Sequence, residues 1–241
     1  MTPTDLATKV SDDAVWSARL REDGLRAATL QTPSQRQATE TILERSLALG
    51  AGAVALTGST VRARRTVMSD LDLMIVGQRP GCGGVRQDVD VYATSAKAFW
   101  ERLVAGDDYI QWTLRFGCIL HDEGILHAAS RHVAEHGLTP SAERKLIQAD
   151  RGLRLARVVL ESGDFDAARE QCRAALTTVA RWLLIANGVF PLSRDELSGQ
   201  LFMLGCSDLA AALRRLIHDV PSGEELRSGL QLGQQLVAAA A

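Results

Sequence analysis

Apolar residues fall into two regimes along this chain. Between Pro33 and Thr94, short apolar runs alternate with glycine turns and acidic strand ends, whereas from Ser141 onward apolar residues recur every three or four positions. The second regime reads as helices. Leu146, Leu153, Ala156 and Leu160 form one stripe; Phe165, Ala168, Cys172, Leu176, Val179 and Leu183 form another, ended by Asn187-Gly188. Ser193 is placed to cap a third helix carrying Leu197, Leu201 and Leu204, Leu209 to Ile217 mark a fourth, and Pro221-Ser222 precedes a last one toward Val237. Such stripes are core positions first, and together they predict a helical bundle of about 100 residues.

The first regime predicts a mixed unit. Residues 12–28 read as an amphipathic helix with Val15, Leu20, Leu25 and Ala28 near one stripe. Pro33-Ser34 opens a second helix, with Ser34 as cap and Ala38, Ile42, Leu43 and Leu47 at helical spacing before Gly50 and Gly52. A strand, Val54 to Leu56, runs into Gly58-Ser59, and an antiparallel hairpin carrying Asp70, Asp72, Asp88 and Asp90 is expected next. Ser95 can cap a helix with Phe99, Trp100 and Leu103, and the stretch from Gly106 to Gly124 reads as a seam between domains. The expected class is α/β (α+β), a small mixed sheet with helices, followed by an all-α bundle. The expected division is 1–33, an N-terminal helical arm; 34–130, the α/β domain; and 131–241, the bundle.

Composition narrows the function. A chain of 241 residues with 46% hydrophobic content can bury one large or two modest cores. No run of about 18 apolar residues suits a membrane span. The first thirty residues carry Asp5, Asp12, Asp13 and Glu22 and no continuous apolar segment, so no signal peptide is read and a cytoplasmic protein without membrane partners is expected. Cys82, Cys118, Cys172 and Cys206 stand singly and read as reduced thiols. A net charge of −2 argues against a dedicated nucleic-acid binder.

The candidate chemistry lies in the acidic strands. Residues i and i+2 of a strand share a face about 6.5–7 Å apart, so Asp70 and Asp72 present two carboxylates to one side. Two such anions repel unless a cation sits between them, and hard oxygen donors suit Mg²⁺ together with substrate phosphate. Gly58 allows a tight turn and close approach to an anion, and Ser59 adds a hydroxyl and an amide as donors. Arg62, Arg64 and Arg65 lie in the intervening loop; they either grip a triphosphate or form an ordinary solvated loop, and charge pattern does not choose.

Gly58-Ser59, ten residues, Asp70-x-Asp72, an apolar strand and a further acidic strand together resemble the signature of the polymerase-β-type nucleotidyltransferase superfamily. Within it the chain is most similar to small antibiotic-modifying enzymes of the kanamycin type, in which a helical domain follows the catalytic one. The resemblance covers about 40 residues. It implies a Mg²⁺-dependent enzyme that moves a nucleoside monophosphate from an NTP, ATP being the expected one, to a hydroxyl of a small-molecule acceptor, with antibiotic resistance as a role. Residues 34–130 would be the catalytic domain. Asp70, Asp72 and one acid of the third strand would be catalytic and hold two metal ions, while Gly58 and Ser59 would hold the β- and γ-phosphates; Arg62 and Arg65 join them as nucleotide-binding candidates.

Asp88 and Asp90 share a face, so alternation does not separate them. Asp90 is favoured because it stands between Val89 and Val91, as Asp72 stands between Leu71 and Leu73, and because it matches the position of the third acid in the resembled family. Asp107, Asp108, Asp122 and Glu123 would suit a cationic acceptor such as an amino sugar, but each singly reads better as a cap or solvated turn. Arg131 to His136 has the spacing of a ribonuclease-like helical motif by chance, and His121 reads as a surface histidine. Glu143, Glu161 and Glu170 are unranked candidates for general base. Two alternatives stay open: a toxin-type enzyme modifying tRNA or protein, and a non-catalytic antitoxin-like partner. A homodimer is compatible with every reading.

Overall fold

In the computed structural model, which describes residues 3–63, 70–85 and 88–240, four strands form one sheet. They are β1 (Ala53–Leu56), β2 (Leu71–Val76), β3 (Val89–Thr94) and β4 (Cys118–Asp122), in the spatial order β3-β2-β1-β4. β1 runs antiparallel to β2 and β4. The two acid-bearing strands, β2 and β3, are parallel, not the antiparallel hairpin the sequence suggested. Residues 77–88 give the link the dozen residues that a parallel return needs, far more than a tight hairpin turn.

Every residue of β1 is buried, which accounts for its unbroken Ala-Val-Ala-Leu run. One face of the sheet, Ala53, Ala55, Met74 and Val76, packs against three helices: Phe99 and Leu103 of α4 (Ala96–Val104), Ile110 and Leu114 of α5 (Asp108–Phe116), and Leu126 and Ala129 of α6 (Ile125–His136). The Gly106–Gly124 stretch is therefore no seam; it forms α5 and the edge strand β4 inside the first unit. β4 escaped detection because its apolar run is short and its pairing with β1 is broken by an irregularity between Val54 and Ala55.

Two compact units divide the chain, Met1–Thr139 and Pro140–Ala241. The division falls beyond residue 130 because α6 contributes Leu126 and Ala129 to the core of the first unit. Nor does the N-terminal helix, α1 (Pro3–Leu30), stand apart. Arg19 donates to the Leu114 carbonyl, the Ile119 amide donates to Asp23, and Trp16 donates to Asp122. The helix α2 (Pro33–Ala48) is capped by Thr32, not Ser34: Pro33 fills the first helical position, so the cap lies before it, closed by Gln35.

The second unit is helical throughout its ordered elements. α7 (Ala142–Glu161) and α8 (Phe165–Ala186) are joined by three residues, followed by α9 (Arg194–Met203), α10 (Ser207–His218) and α11 (Gly223–Ala238). Leu153, Ala156, Cys172, Leu176, Val179, Leu197, Leu213 and Leu230 share its core. Ser141, Ser193 and Ser222 cap α7, α9 and α11. Phe165 departs from its stripe: it opens α8 half-exposed and lies against Gly223. Among the described residues, no helix is long and apolar enough to cross a membrane.

Candidate active site

The pairing scheme gathers the motif at one end of the sheet. Because β1 and β2 are antiparallel, β1 finishes beside the start of β2; because β2 and β3 are parallel, both begin there. Thr57 follows β1 and donates its amide to the Asp72 carbonyl at 2.9 Å. Gly58 opens a single helical turn, α3 (Gly58–Val61), with φ +69°. A Cβ built on Gly58 would lie 1.8 Å from Asp72 Oδ2 and 2.6 Å from its Cγ. Glycine is required here twice, by its backbone and by the carboxylate that fills its side-chain space.

Asp72 is the register partner of Asp90. Neighbouring strands lie about 4.8 Å apart, and register partners in a parallel pair share a face, so the two carboxylates stand side by side. Asp72 is half-buried and Asp90 exposed. Asp70 and Asp88 lie one step outside their strands, both exposed, with the Asp88 carbonyl accepting from the Leu71 amide at 2.9 Å. Ser59 is half-buried on the turn. Arg62 ends that turn with its guanidinium 5.0 Å from the ring centre of Phe116, which Arg115 also approaches at 5.5 Å. Arg64 and Arg65 lie outside the described residues.

A layer of polar side chains lies beside the acids. The Tyr109 hydroxyl is 3.1 Å from Thr57 Oγ1, and Thr57 Oγ1 is 3.4 Å from the Asp72 carbonyl. Burial pushes the Tyr109 pKa upward, the Thr57 hydrogen bond opposes this, and the charges of Asp72 and Asp90 add to the rise. Tyr92, two residues past Asp90 on β3, meets Tyr109 edge-on at 5.2 Å. Arg102 donates to the Tyr92 hydroxyl and, through Nε and Nη2, to Asp107 Oδ2 at 2.9 and 2.7 Å. Burial works against the Arg102 charge, but Asp107, Tyr92 and Asp108 outweigh it and hold its pKa above the ordinary value.

The acids beyond the motif are mostly structural. Asp107 caps α5 by accepting from the Tyr109 and Ile110 amides, and Asp122 accepts from the Leu126 and His127 amides at the start of α6. Asp108 is buried in the first turn of α5. Glu123 is exposed, 3.9 Å from His121. The acidic wall expected for a cationic acceptor thus reduces to two helix caps, one buried acid and one surface acid. His132 and His136 stand near the end of α6 with their rings 4.1 Å apart. Of the three glutamates considered as bases, Glu161 pairs with Arg157 and Glu170 with Arg173, while Glu143 sits in the first turn of α7.

Sequence reasoning passed over Tyr92, Tyr109, Arg102 and Arg115. One signal was available: Tyr92 and Tyr109 are the two tyrosines of the chain. The donor set suits a hard cation in kind, since Asp72 and Asp90 offer paired carboxylate oxygens. In the turn, no described residue hydrogen-bonds the buried Thr60 hydroxyl. Among the described residues, no group of three His, Cys, Asp or Glu side chains is drawn close enough to enclose a metal, so substrate oxygens would have to complete the shell.

No family model and no curated protein matches the chain. Among solved structures, it is similar to a nucleotidyltransferase-like protein from Exiguobacterium sibiricum 255-15, at 16% identity over 84% of this chain and 74% of that one, with a TM-score of 0.40.

Proposed function

We propose that the protein is a nucleotidyltransferase of the polymerase-β type, moving a nucleoside monophosphate from an NTP to an acceptor hydroxyl with release of pyrophosphate. The observation that carries this reading is the Asp72–Asp90 register pair on parallel strands, beside a glycine turn whose missing side chain makes room for the Asp72 carboxylate. Asp72 and Asp90, with Asp70, would hold Mg²⁺, which supplies charge neutralisation at the triphosphate. Ser59 would donate its hydroxyl and amide to the β- and γ-phosphates, and Arg62 and Arg65 would add positive charge there. The chain's own part is positioning the triphosphate and offsetting its charge.

The donor is ATP, as the sequence resemblance implies, and the acceptor is a small molecule bearing a hydroxyl. An aminoglycoside-like acceptor, and with it antibiotic resistance, rests on that resemblance, since Asp107 and Asp122 serve as caps. The test uses NTPs labelled at either the α- or the γ-phosphate, with pooled hydroxylated acceptors and Mg²⁺. Label should reach the acceptor from the α-position alone. Transfer from the γ-position would make the protein a kinase, and label in added tRNA or protein would move the acceptor to a macromolecule.

A further inference from the structure

Tyr109 lies outside the sequence motif, yet several groups hold it in place. Asp107 binds its amide and that of Ile110, and Arg102 grips the other oxygen of Asp107, whose side chain is 3% exposed. The start of α5 is therefore fixed against α4. From there the phenol reaches Thr57 Oγ1, and the Thr57 hydroxyl lies 3.4 Å from the Asp72 carbonyl, which also accepts the Thr57 amide. A single donor direction satisfies the chain: Tyr109 O–H to Thr57 Oγ1, and Thr57 O–H to the Asp72 carbonyl. The reverse direction would leave that longer contact without a hydrogen.

Both flanking groups constrain the ring further. Tyr92 packs edge-on against it, and Tyr92 is itself held by Arg102. The two carboxylates of Asp72 and Asp90 bear on the same hydroxyl. Two like charges on adjacent strands tend to turn away from each other unless their surroundings hold them.

We infer that Tyr109 is a positioning residue that, through Thr57, fixes the backbone of Asp72 and so holds the Asp72–Asp90 pair in place for a divalent cation. This deepens the nucleotidyltransferase reading and rests on it. Groups that orient the ligands of a metal commonly account for about 10–100-fold in metal affinity or activity. The phenol here acts on Asp72 through its backbone carbonyl, by way of Thr57.

The experiment compares Tyr109→Phe, Thr57→Val, their double variant and Asp72→Asn with the parent full chain, reading Mn²⁺ affinity by calorimetry and NTP turnover in parallel. Tyr109→Phe keeps the ring, so the fold should persist, with Mn²⁺ affinity and kcat each lowered about tenfold or more and the NTP KM changed less. Thr57→Val should show the same loss, and the double variant no more than either, because both break one chain of hydrogen bonds. Parent-like Mn²⁺ affinity and kcat in Tyr109→Phe and Thr57→Val, with Asp72→Asn inactive, would overturn the inference alone. A lowered Tm with unchanged Mn²⁺ affinity would overturn it too, leaving the hydroxyl a structural part only. An Asp72→Asn chain that binds Mn²⁺ and turns over normally would remove Asp72 from the metal site and the inference with it, whereas a parent chain that neither binds Mn²⁺ nor turns over NTP would overturn the nucleotidyltransferase reading.

Discussion

Gly58 and Asp72 share one volume: the carboxylate of Asp72 fills the place a side chain on Gly58 would need, with Oδ2 1.8 Å from the position of a Cβ. The glycine that the motif associates with phosphate also shapes the acid beside it. Replacing Gly58 by alanine should cost about 1–2 kcal/mol for the left-handed backbone and more for displacing Asp72. In an Asp72→Ala background the same change should cost less, because the overlapping atoms are gone. Denaturant unfolding of the four chains checks this, and strictly additive losses would mean the carboxylate moves aside freely.

Asp90, not Asp88, should be the acid whose loss stops turnover. Asp90 is level with Asp72 across the parallel pair, whereas Asp88 precedes β3 and is level with the strand's entrance. Alanine at position 90 should abolish transfer at saturating Mg²⁺, and alanine at 88 should retain most of it. The opposite pattern of turnover would exchange the two assignments.

Asp107 should matter for stability and not for the acceptor. It caps α5 and pairs with Arg102, whose side chain is 34% exposed, so solvent moderates the loss. Asp107→Ala should destabilise by about 2–3 kcal/mol, combining a lost cap with a partly buried guanidinium deprived of its carboxylate partner. An unchanged unfolding midpoint, or a raised acceptor KM in a chain of parent-like stability, would return Asp107 to the binding site.

Alkaline pH should weaken the fold through two thiols. Burial pushes both Cys118 and Cys172 from 9.0 up to about 11; at Cys118, Asp23 adds to the rise while Arg26 and Arg19 oppose it. The unfolded chain releases these protons first, so the contribution is whole below pH 9.0 and falls as pH rises toward about 11. Cys172→Ala should lose less stability across that interval than the parent chain. Parallel losses in both, followed by urea midpoints, would remove Cys172 from the account.

Much of this was legible in the sequence, for identifiable reasons. The stripes of α7 to α11 and the caps Ser95 and Ser193 follow from local chemistry alone. Gly58, Ser59, Asp72 and Asp90 lie in one short stretch that the motif spans, although it is the pairing of β1, β2 and β3 that brings them to one end of the sheet. What stayed hidden depends on partners distant in the chain. The parallel pairing of β2 with β3 goes with contacts distant in sequence, such as Arg45 of α2 donating to the Gly81 and Gly83 carbonyls beyond β2. β4 exists because β1 offers it an edge, and Tyr109 meets Thr57 across 52 positions of sequence. Pro33 displaced the cap from Ser34 to Thr32 by lacking an amide hydrogen, a local rule that the sequence reading misapplied.

The central claim is that Asp72 serves a metal-dependent transfer of nucleotide, and Asp72→Asn tests it most directly. The asparagine keeps the shape beside Gly58 while removing one of two repelling charges, so Tm should hold or rise. Pyrophosphate release from NTP with Mg²⁺ and acceptor, measured alongside Tm, should then fall to background in the variant and persist in the parent chain. Release at the parental rate from a folded Asp72→Asn chain would contradict the account.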